Sequence, residues 1–370
     1  MAVLNKSVYN FCYTAALLFL LAFVYTTLHH YHNWAGVLLA LFFVSIALAF
    51  RGSRLFRGYW YSIVIFAVAT IAMYYPQHFI SVGGRNASFF IPVLLQVIMF
   101  GMGTELSLKD FAQVMRMPKG VFIGTACHYI IMPLVGFAVA HLFSFPNEIA
   151  AGIILIGCCP SGLASNVMCY LARANLALSV SVTTISTLLA PFLTPLLMKL
   201  LGGRYVEIDL WAMVWEITKI VIIPIAAGLA FHYLVRGKVK WIDKIMPVIS
   251  MVGIALVLLV ITAAGRDNLL KIGGLLIVAT FIHNISGYFL GYWSARFFKF
   301  PEKDCRTIAL EVGMQNAGLA SALARGMGKL ATVGLASVIF GTMMNVTGSS
   351  LASWWHNRSP QDGTTEKELS

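Results

Sequence analysis

Long apolar runs separated by short polar breaks make up the chain from Val8 onward. A run of about 20 apolar residues is long enough to cross ~30 Å of hydrocarbon as a helix. Reading runs against breaks predicts about twelve spans. They lie at residues 8–27, 34–50, 59–75, 90–106, 120–142, 149–173, 176–201, 210–234, 245–264, 273–298, 307–327 and 333–355. The expected fold class is therefore an all-α polytopic membrane protein. The first run lacks an A-x-A cleavage pattern and a second run follows almost at once, which favours a retained helix over a signal peptide. The segment 358–370 is polar and is expected to be a disordered cytoplasmic tail.

Composition narrows the class. Of 370 residues, 59% are hydrophobic and 11% charged, too few polar side chains for a soluble surface. The net charge of +12 does not point to nucleic acid, because no basic stripe alternates with exposed aromatics. The basic residues sit instead in short loops and set orientation. With the N-terminus inside, about 18 fall on the cytoplasmic side and about 7 outside. The inner clusters are Arg51/Arg54/Arg57, Lys109/Arg116/Lys119, Arg236/Lys238/Lys240/Lys244 and Arg296/Lys299/Lys303/Arg306. Both termini are expected in the cytoplasm, with the chain in the inner (plasma) membrane. The six cysteines lack CxxC spacing and lie mostly in apolar runs, so they read as packing residues.

A repeat organises the spans. Gly162-Leu163-Ala164-Ser165 recurs 156 residues later as Gly318-Leu319-Ala320-Ser321. The same shift lays the third through seventh spans on the eighth through twelfth. Five spans per unit is an odd number, so the second unit enters the membrane from the opposite face: an inverted repeat, 5+5. The implied divisions are an added N-terminal hairpin (1–55), a first unit (56–203), a second unit (204–357) and the tail.

Both copies of the marked span are interrupted. The first reads Gly157-Cys158-Cys159-Pro160-Ser161-Gly162-Leu163-Ala164-Ser165-Asn166, where proline removes a helix hydrogen bond and glycine tolerates irregular dihedrals. The second reads Glu311-Val312-Gly313-Met314-Gln315-Asn316-Ala317-Gly318. Non-helical backbone at membrane depth survives only where protein buries it or a cavity is lined by it. Its carbonyls then serve hard cations, and the half-helix N-termini face anions. Glu311 is the most informative single residue. A carboxylate inside an apolar span needs a partner, either an ion pathway or a buried Arg or Lys. Gln315 and Asn316 add oxygen ligands beside it.

These two segments carry a resemblance. Gly157-Cys158-Cys159-Pro160 with Ala164-Ser165-Asn166-Val167-Met168 and Tyr170-Leu171-Ala172-Arg173 resembles the bile acid:sodium symporter family, and Glu311 through Ala320 is similar to its second motif. The resemblance covers Tyr59 to Trp355 and suits a bacterial-type member with the extra hairpin. It implies a core domain holding two crossing broken helices beside a panel domain. The implied activity is sodium-coupled symport of a small organic anion such as a bile acid, pantoate or a 2-oxo acid, by alternating access and without an organic cofactor. One sodium site would use Ser165, Asn166, Ser179, Thr183 and Glu311. A second would use Glu311, Gln315 and the carbonyls of Val312 and Met314, but its last ligand, usually glutamine, falls at His128. Sodium prefers oxygen, whereas imidazole offers nitrogen. The second site is thus expected to be weakened, or its sodium replaced by a proton.

On the substrate side the family places a polar side chain in the first crossover and an asparagine in the second. Asn316 matches, the first position is Leu163, and Ser161 is the neighbour that can compensate. A family His-Asn pair becomes Met344-Asn345. Lys219, which has a similarly placed family lysine, lies three residues from Glu216 and shares its helix face. Gly287 and Gly291 read as a helix-packing GxxxG. Competing classes are a proton-coupled carrier, a sensor that binds without transporting, and an intramembrane enzyme using Glu311 with His128. The chain lacks H-E-x-x-H, G-x-S-x-G and a P-loop, so the easiest catalytic assignments fall away.

Overall fold

In hydrocarbon no water satisfies backbone N–H and C=O groups, so an apolar chain must bond them internally, and helices do this segment by segment. The computed structural model describes residues 6–53, 56–107, 113–235 and 242–358. Arg54, Lys109, Arg236, Lys238, Lys240 and nearly all of the predicted tail (359–370) lie outside the described residues.

The chain runs α1 (Lys6–Leu28), α2 (His32–Gly52), α3 (Trp60–Tyr74), α4 (Ile91–Glu105), α5 (Pro118–Leu142), α6 (Asn147–Cys158), α7 (Ala164–Leu171) and α8 (Leu176–Leu197). It continues with α9 (Leu210–Ile217), α10 (Ile223–Val235), α11 (Ile242–Ala264), α12 (Arg266–Phe297), α13 (Glu302–Gly313), α14 (Ala317–Gly326) and α15 (Val333–His356). Eight helical stretches among the described residues are long and apolar enough to cross a membrane. The outside of the bundle is apolar: Phe11, Leu18, Phe122, Ile130, Phe192 and Phe289 are all exposed. Glu311, Gln315, His128, Ser165 and Asn284 are buried. Polar groups inside and apolar groups outside are what a lipid solvent selects. This is a multi-pass all-α membrane protein.

The helices pack in two groups. α3, α4, α10 and α11 pack on one another, as do α5, α6, α8, α12, α13 and α15. The hairpin α1–α2 leans on α3. Contacts of α3 and α11 with α15 join the groups. Inside the first group α4 and α10 approach backbone to backbone. A Cβ on Gly103 would sit 2.2 Å from Ile225 O, and one on Gly228 would sit 2.2 Å from Phe100 O. Small residues are the means by which helices approach in lipid, where hydrophobic driving force between them is missing. The Gly287/Gly291 stripe works the same way, fitting Met132 and Val312.

Some local features depart from the sequence expectation. α12 begins at Arg266 rather than Gly273, and α13 at Glu302 rather than Thr307. Hydropathy marks only the apolar stretch, whereas a helix continues past the hydrocarbon wherever its end is stabilised. Glu302 and Asp304 in the first turn of α13 favour its N-terminus. Ser81–Val82 and Arg85–Asn86 form a minimal hairpin (β1, β2), closed by Gly83 and Gly84, both with φ > 0. A π turn at Thr218–Ile222 joins α9 to α10 and contains Lys219. The carbonyl of Lys219 accepts from Gln96 Nε2 at 3.2 Å, and its ammonium pairs with Glu216 at 2.8 Å.

Candidate functional site

The site is built where α6 gives way to α7 and α13 to α14. The first break contains Pro160 and Gly162, so local chemistry accounts for it. The second has no proline and is held open by tertiary bonds. Gly162 N donates to Met314 O at 3.0 Å and Asn316 N donates to Pro160 O at 2.8 Å, an antiparallel bridge centred on Ser161 and Gln315. Asn284 Nδ2 donates to Gly313 O at 2.8 Å, and Gln315 Nε2 to Val312 O at 2.8 Å. Asn316 caps α14 by accepting from Leu319 N at 3.0 Å. Residue 162 has to be glycine here: a Cβ would lie 2.6 Å from Gln315 O. Of the recurring quartet, residues 162–165 straddle the start of α7, whereas residues 318–321 lie in the first turns of α14.

Glu311 lies in the last turn of α13, fully buried. Ser165 Oγ (α7) donates to its Oε1 at 2.6 Å, Ser179 Oγ (α8) donates to Oε1 at 2.5 Å, and Thr183 Oγ1 (α8) donates to Oε2 at 2.8 Å. Asn166 Oδ1 is 2.7 Å from Ser179 Oγ and 3.4 Å from Thr183 Oγ1. Ser179 and Thr183 are four apart on α8 and so share a face. All five residues expected to form the first sodium site therefore meet, from three chain segments. Among the described residues no Lys, Arg or His forms an ion pair with Glu311. The result is a carboxylate amid hydroxyl and amide oxygens, a hard donor set suited to a hard cation.

The residues of the second expected site also lie together, but their groups are differently engaged. Met314 O and Val312 O accept the hydrogen bonds given above, and Ser161 Oγ also reaches Met314 O at 3.3 Å. Gln315 Oε1 is buried without a hydrogen-bond partner among the described residues. The buried His128 ring is wedged between two carbonyls, Nδ1 2.9 Å from Glu311 O and Nε2 2.8 Å from Cys159 O. It spans the two breaks from α5, filling the space between them with its ring.

The four residues expected toward substrate are dispersed around the crossover. Ser161 is buried in it, 3.4 Å from Ser165 Oγ. Leu163, half-buried, precedes α7, and Asn316 is engaged as a cap. Asn345 turns back on its own helix, Nδ2 donating to Gly341 O at 2.7 Å. Gly341 meets Ala317 (a Cβ on it would lie 2.8 Å from Ala317 Cβ), so Asn345, one turn on, shares the face turned to α14.

Sequence reading passed over Asn284 and Thr347. Thr347 Oγ1 donates to Asn284 Oδ1 at 2.5 Å, and Asn284 in turn supports Gly313 O. The available signal was a polar amide in the middle of an apolar span, the same signal that singled out Glu311. The cysteines are all free thiols, with Cys158, Cys159, Cys169 and Cys305 buried.

Comparison with known proteins agrees with this architecture. The sequence model of the Sodium Bile acid symporter family matches residues 92–272. The uncharacterized sodium-dependent transporter YocS of Bacillus subtilis is 39% identical over 318 residues, 85% of this chain and 97% of that protein. An Arabidopsis thaliana chloroplast protein named a probable sodium/metabolite cotransporter is 34% identical over 267 residues, 72% of this chain and 67% of its own. The ileal sodium/bile acid cotransporter of Oryctolagus cuniculus is 35% identical over 243 residues, 63% and 68% respectively. Broken helices crossing at a buried carboxylate, in a chain similar to these transporters over most of its length, establish a membrane transporter rather than an enzyme, and the chain belongs to the sodium bile acid symporter family.

Proposed function

We propose that the protein is a sodium-coupled symporter of a small organic monoanion, working by alternating access. One observation carries this reading: Ser165, Asn166, Ser179, Thr183 and Glu311 turn their oxygens to one buried point, with no cationic side chain paired to the carboxylate among the described residues. Sodium supplies the missing charge. It also ties α13 to α7 and α8, so binding it orders the crossover before substrate enters. The N-termini of α7 and α14 favour an anion nearby, and Ser161, Leu163, Asn316 and Asn345, around the crossover, would be its contacts. The relatives' named cargo, metabolite or bile acid, supports a small organic anion, such as a bile acid, pantoate or a 2-oxo acid.

The antiparallel bridge between the two breaks supports an inverted repeat of residues 56–203 and 204–357, with 1–55 an added hairpin. The two packing groups would be panel and core, the core rocking against the panel. With the basic loops on the cytoplasmic side, both termini would lie in the cytoplasm of a protein spanning the plasma membrane. The ring of His128 fills the space a second ion would need, which supports one sodium per cycle.

The test is uptake of labelled taurocholate, pantoate and pyruvate into proteoliposomes under an inward sodium gradient. Accumulation of at least one that collapses when potassium replaces sodium is expected. Accumulation driven equally well by a pH gradient without sodium would overturn sodium coupling in favour of the proton-coupled reading.

A further inference from the structure

At the end of the bundle where Arg296, Lys299, Lys303, Arg306 and Arg358 gather, the structure holds a cavity of about 820 Å³ between α12, the start of α13 and the end of α15. It is separate from the crossover and plays no part in the cycle proposed above. We infer that this cavity is a binding site for one anionic phospholipid.

The chemistry of its walls divides in two. On the surface side stand Arg306 and Arg358 with the indoles of Trp354 and Trp355. Arg306 is only 3% exposed, and its Nε donates to Glu302 Oε1 at 2.9 Å. Its Nη1 serves the carbonyls of Ala172, Trp355 and Arg358, while Nη2 has no hydrogen bond among the described residues. Glu302 is already engaged: Arg306 and the hydroxyl of Tyr292 (2.7 Å) donate to it, and Arg296 lies 3.9 Å away. The acid is thus neutralised within the wall and the cavity is left net positive. Arg358 lies over the Trp354 ring at 4.1 Å, at the mouth. On the membrane side the wall turns apolar through Ile285, Phe289 and Leu351, and Phe289 is 60% exposed on the outside of the bundle. A soluble anion would have no use for that second wall, whereas an acyl chain would.

Basic pockets between spanning helices at the headgroup level, rimmed by tryptophan, suit anionic headgroups. Thr347 and Tyr288 line the cavity, and Thr347 reaches Gly313 O through Asn284 in two hydrogen bonds of 2.5 and 2.8 Å.

Native mass spectrometry of the full-length protein in detergent, titrated with phosphatidylglycerol or with phosphatidylcholine of the same chains, tests the inference. One phosphatidylglycerol should be retained at about tenfold lower concentration than phosphatidylcholine, as a charge-assisted guanidinium contact warrants. Arg358→Gln should remove most of that preference, and Leu351→Trp, which fills the apolar half, should weaken retention of both lipids. Equal retention of the two lipids by the wild type, or unchanged phosphatidylglycerol binding in both variants, would overturn it. So would displacement by tens of millimolar inorganic phosphate, which would reassign the cavity to a small soluble anion. Glu311→Gln should bind the lipid as the wild type does, so the inference stands or falls independently of sodium coupling.

Discussion

Replacing Glu311 with glutamine separates two contributions that a truncation would mix. The Glu311→Gln side chain keeps an oxygen acceptor in place but removes the charge. Three hydroxyl bonds, at 2.6, 2.5 and 2.8 Å, lose their ionic character. A charged acceptor makes each about 1 kcal/mol stronger than a neutral one, so about 3 kcal/mol is lost. Against this, a buried carboxylate without a cation carries a desolvation penalty of several kcal/mol, which glutamine lifts. The two nearly cancel, so in sodium-free buffer E311Q should melt within about 4 °C of the wild type. Sodium breaks the tie. An ion that binds only the folded state at a hundredfold excess over its Kd adds about 2.7 kcal/mol, roughly 3–4 °C in Tm for a chain of this size. The assay is thermal unfolding of the detergent-purified protein in sodium, potassium and N-methylglucamine chlorides. The wild type should rise in sodium alone, and E311Q in none. A full sodium shift retained in E311Q, or an equal shift in potassium for the wild type, refutes the assignment of the charge to this site.

Further outcomes follow from single contacts. Gly162→Ala places a methyl 2.6 Å from Gln315 O, pushing the crossing strands apart. Overpacking at the bridge should cost about 1–3 kcal/mol, seen as a lower Tm in sodium together with lost uptake. His128→Gln exchanges a wedged ring for a flexible amide oxygen donor. Sodium activation of uptake should steepen from a Hill slope of about one toward two, and an unchanged slope would mean the ring does not exclude a second ion. Gly228→Ala drives a Cβ against Phe100 O, at 2.2 Å in the present packing, and should destabilise α4–α10 without altering the sodium-dependent shift in Tm. By contrast, the ion pair of Glu148 with Lys329 is about one third exposed on each side, so Glu148→Ala should cost less than about 1 kcal/mol in a melt.

Much of this protein was legible before any coordinates. Apolar runs long enough to span hydrocarbon dictate helices, because lipid leaves the backbone no other way to satisfy itself. Ionisable and amide side chains inside those runs, Glu311, Gln315 and Asn316, mark the site because their burial is too costly without a use. Pro160, which lacks an N–H, and Gly162, which tolerates irregular dihedrals, announce the first break. The second break has Gly313 but no proline, a weaker local mark. Met314 to Asn316 leaves the helix because Pro160, Gly162 and Asn284 supply partners for the freed amides and carbonyls at the break, and those partners come from distant parts of the chain. The same holds for His128. Its residue type raised doubt about a second ion, yet only the fold shows both ring nitrogens set against carbonyls of two different helices. Asn284 and Thr347, and the Arg306–Trp355 cavity, likewise depend on contacts between α12, α13 and α15. Solvent selects element type and buried polarity residue by residue, so the sequence by itself determines them. Which polar groups meet is decided by the packing of helices that sequence separation does not order.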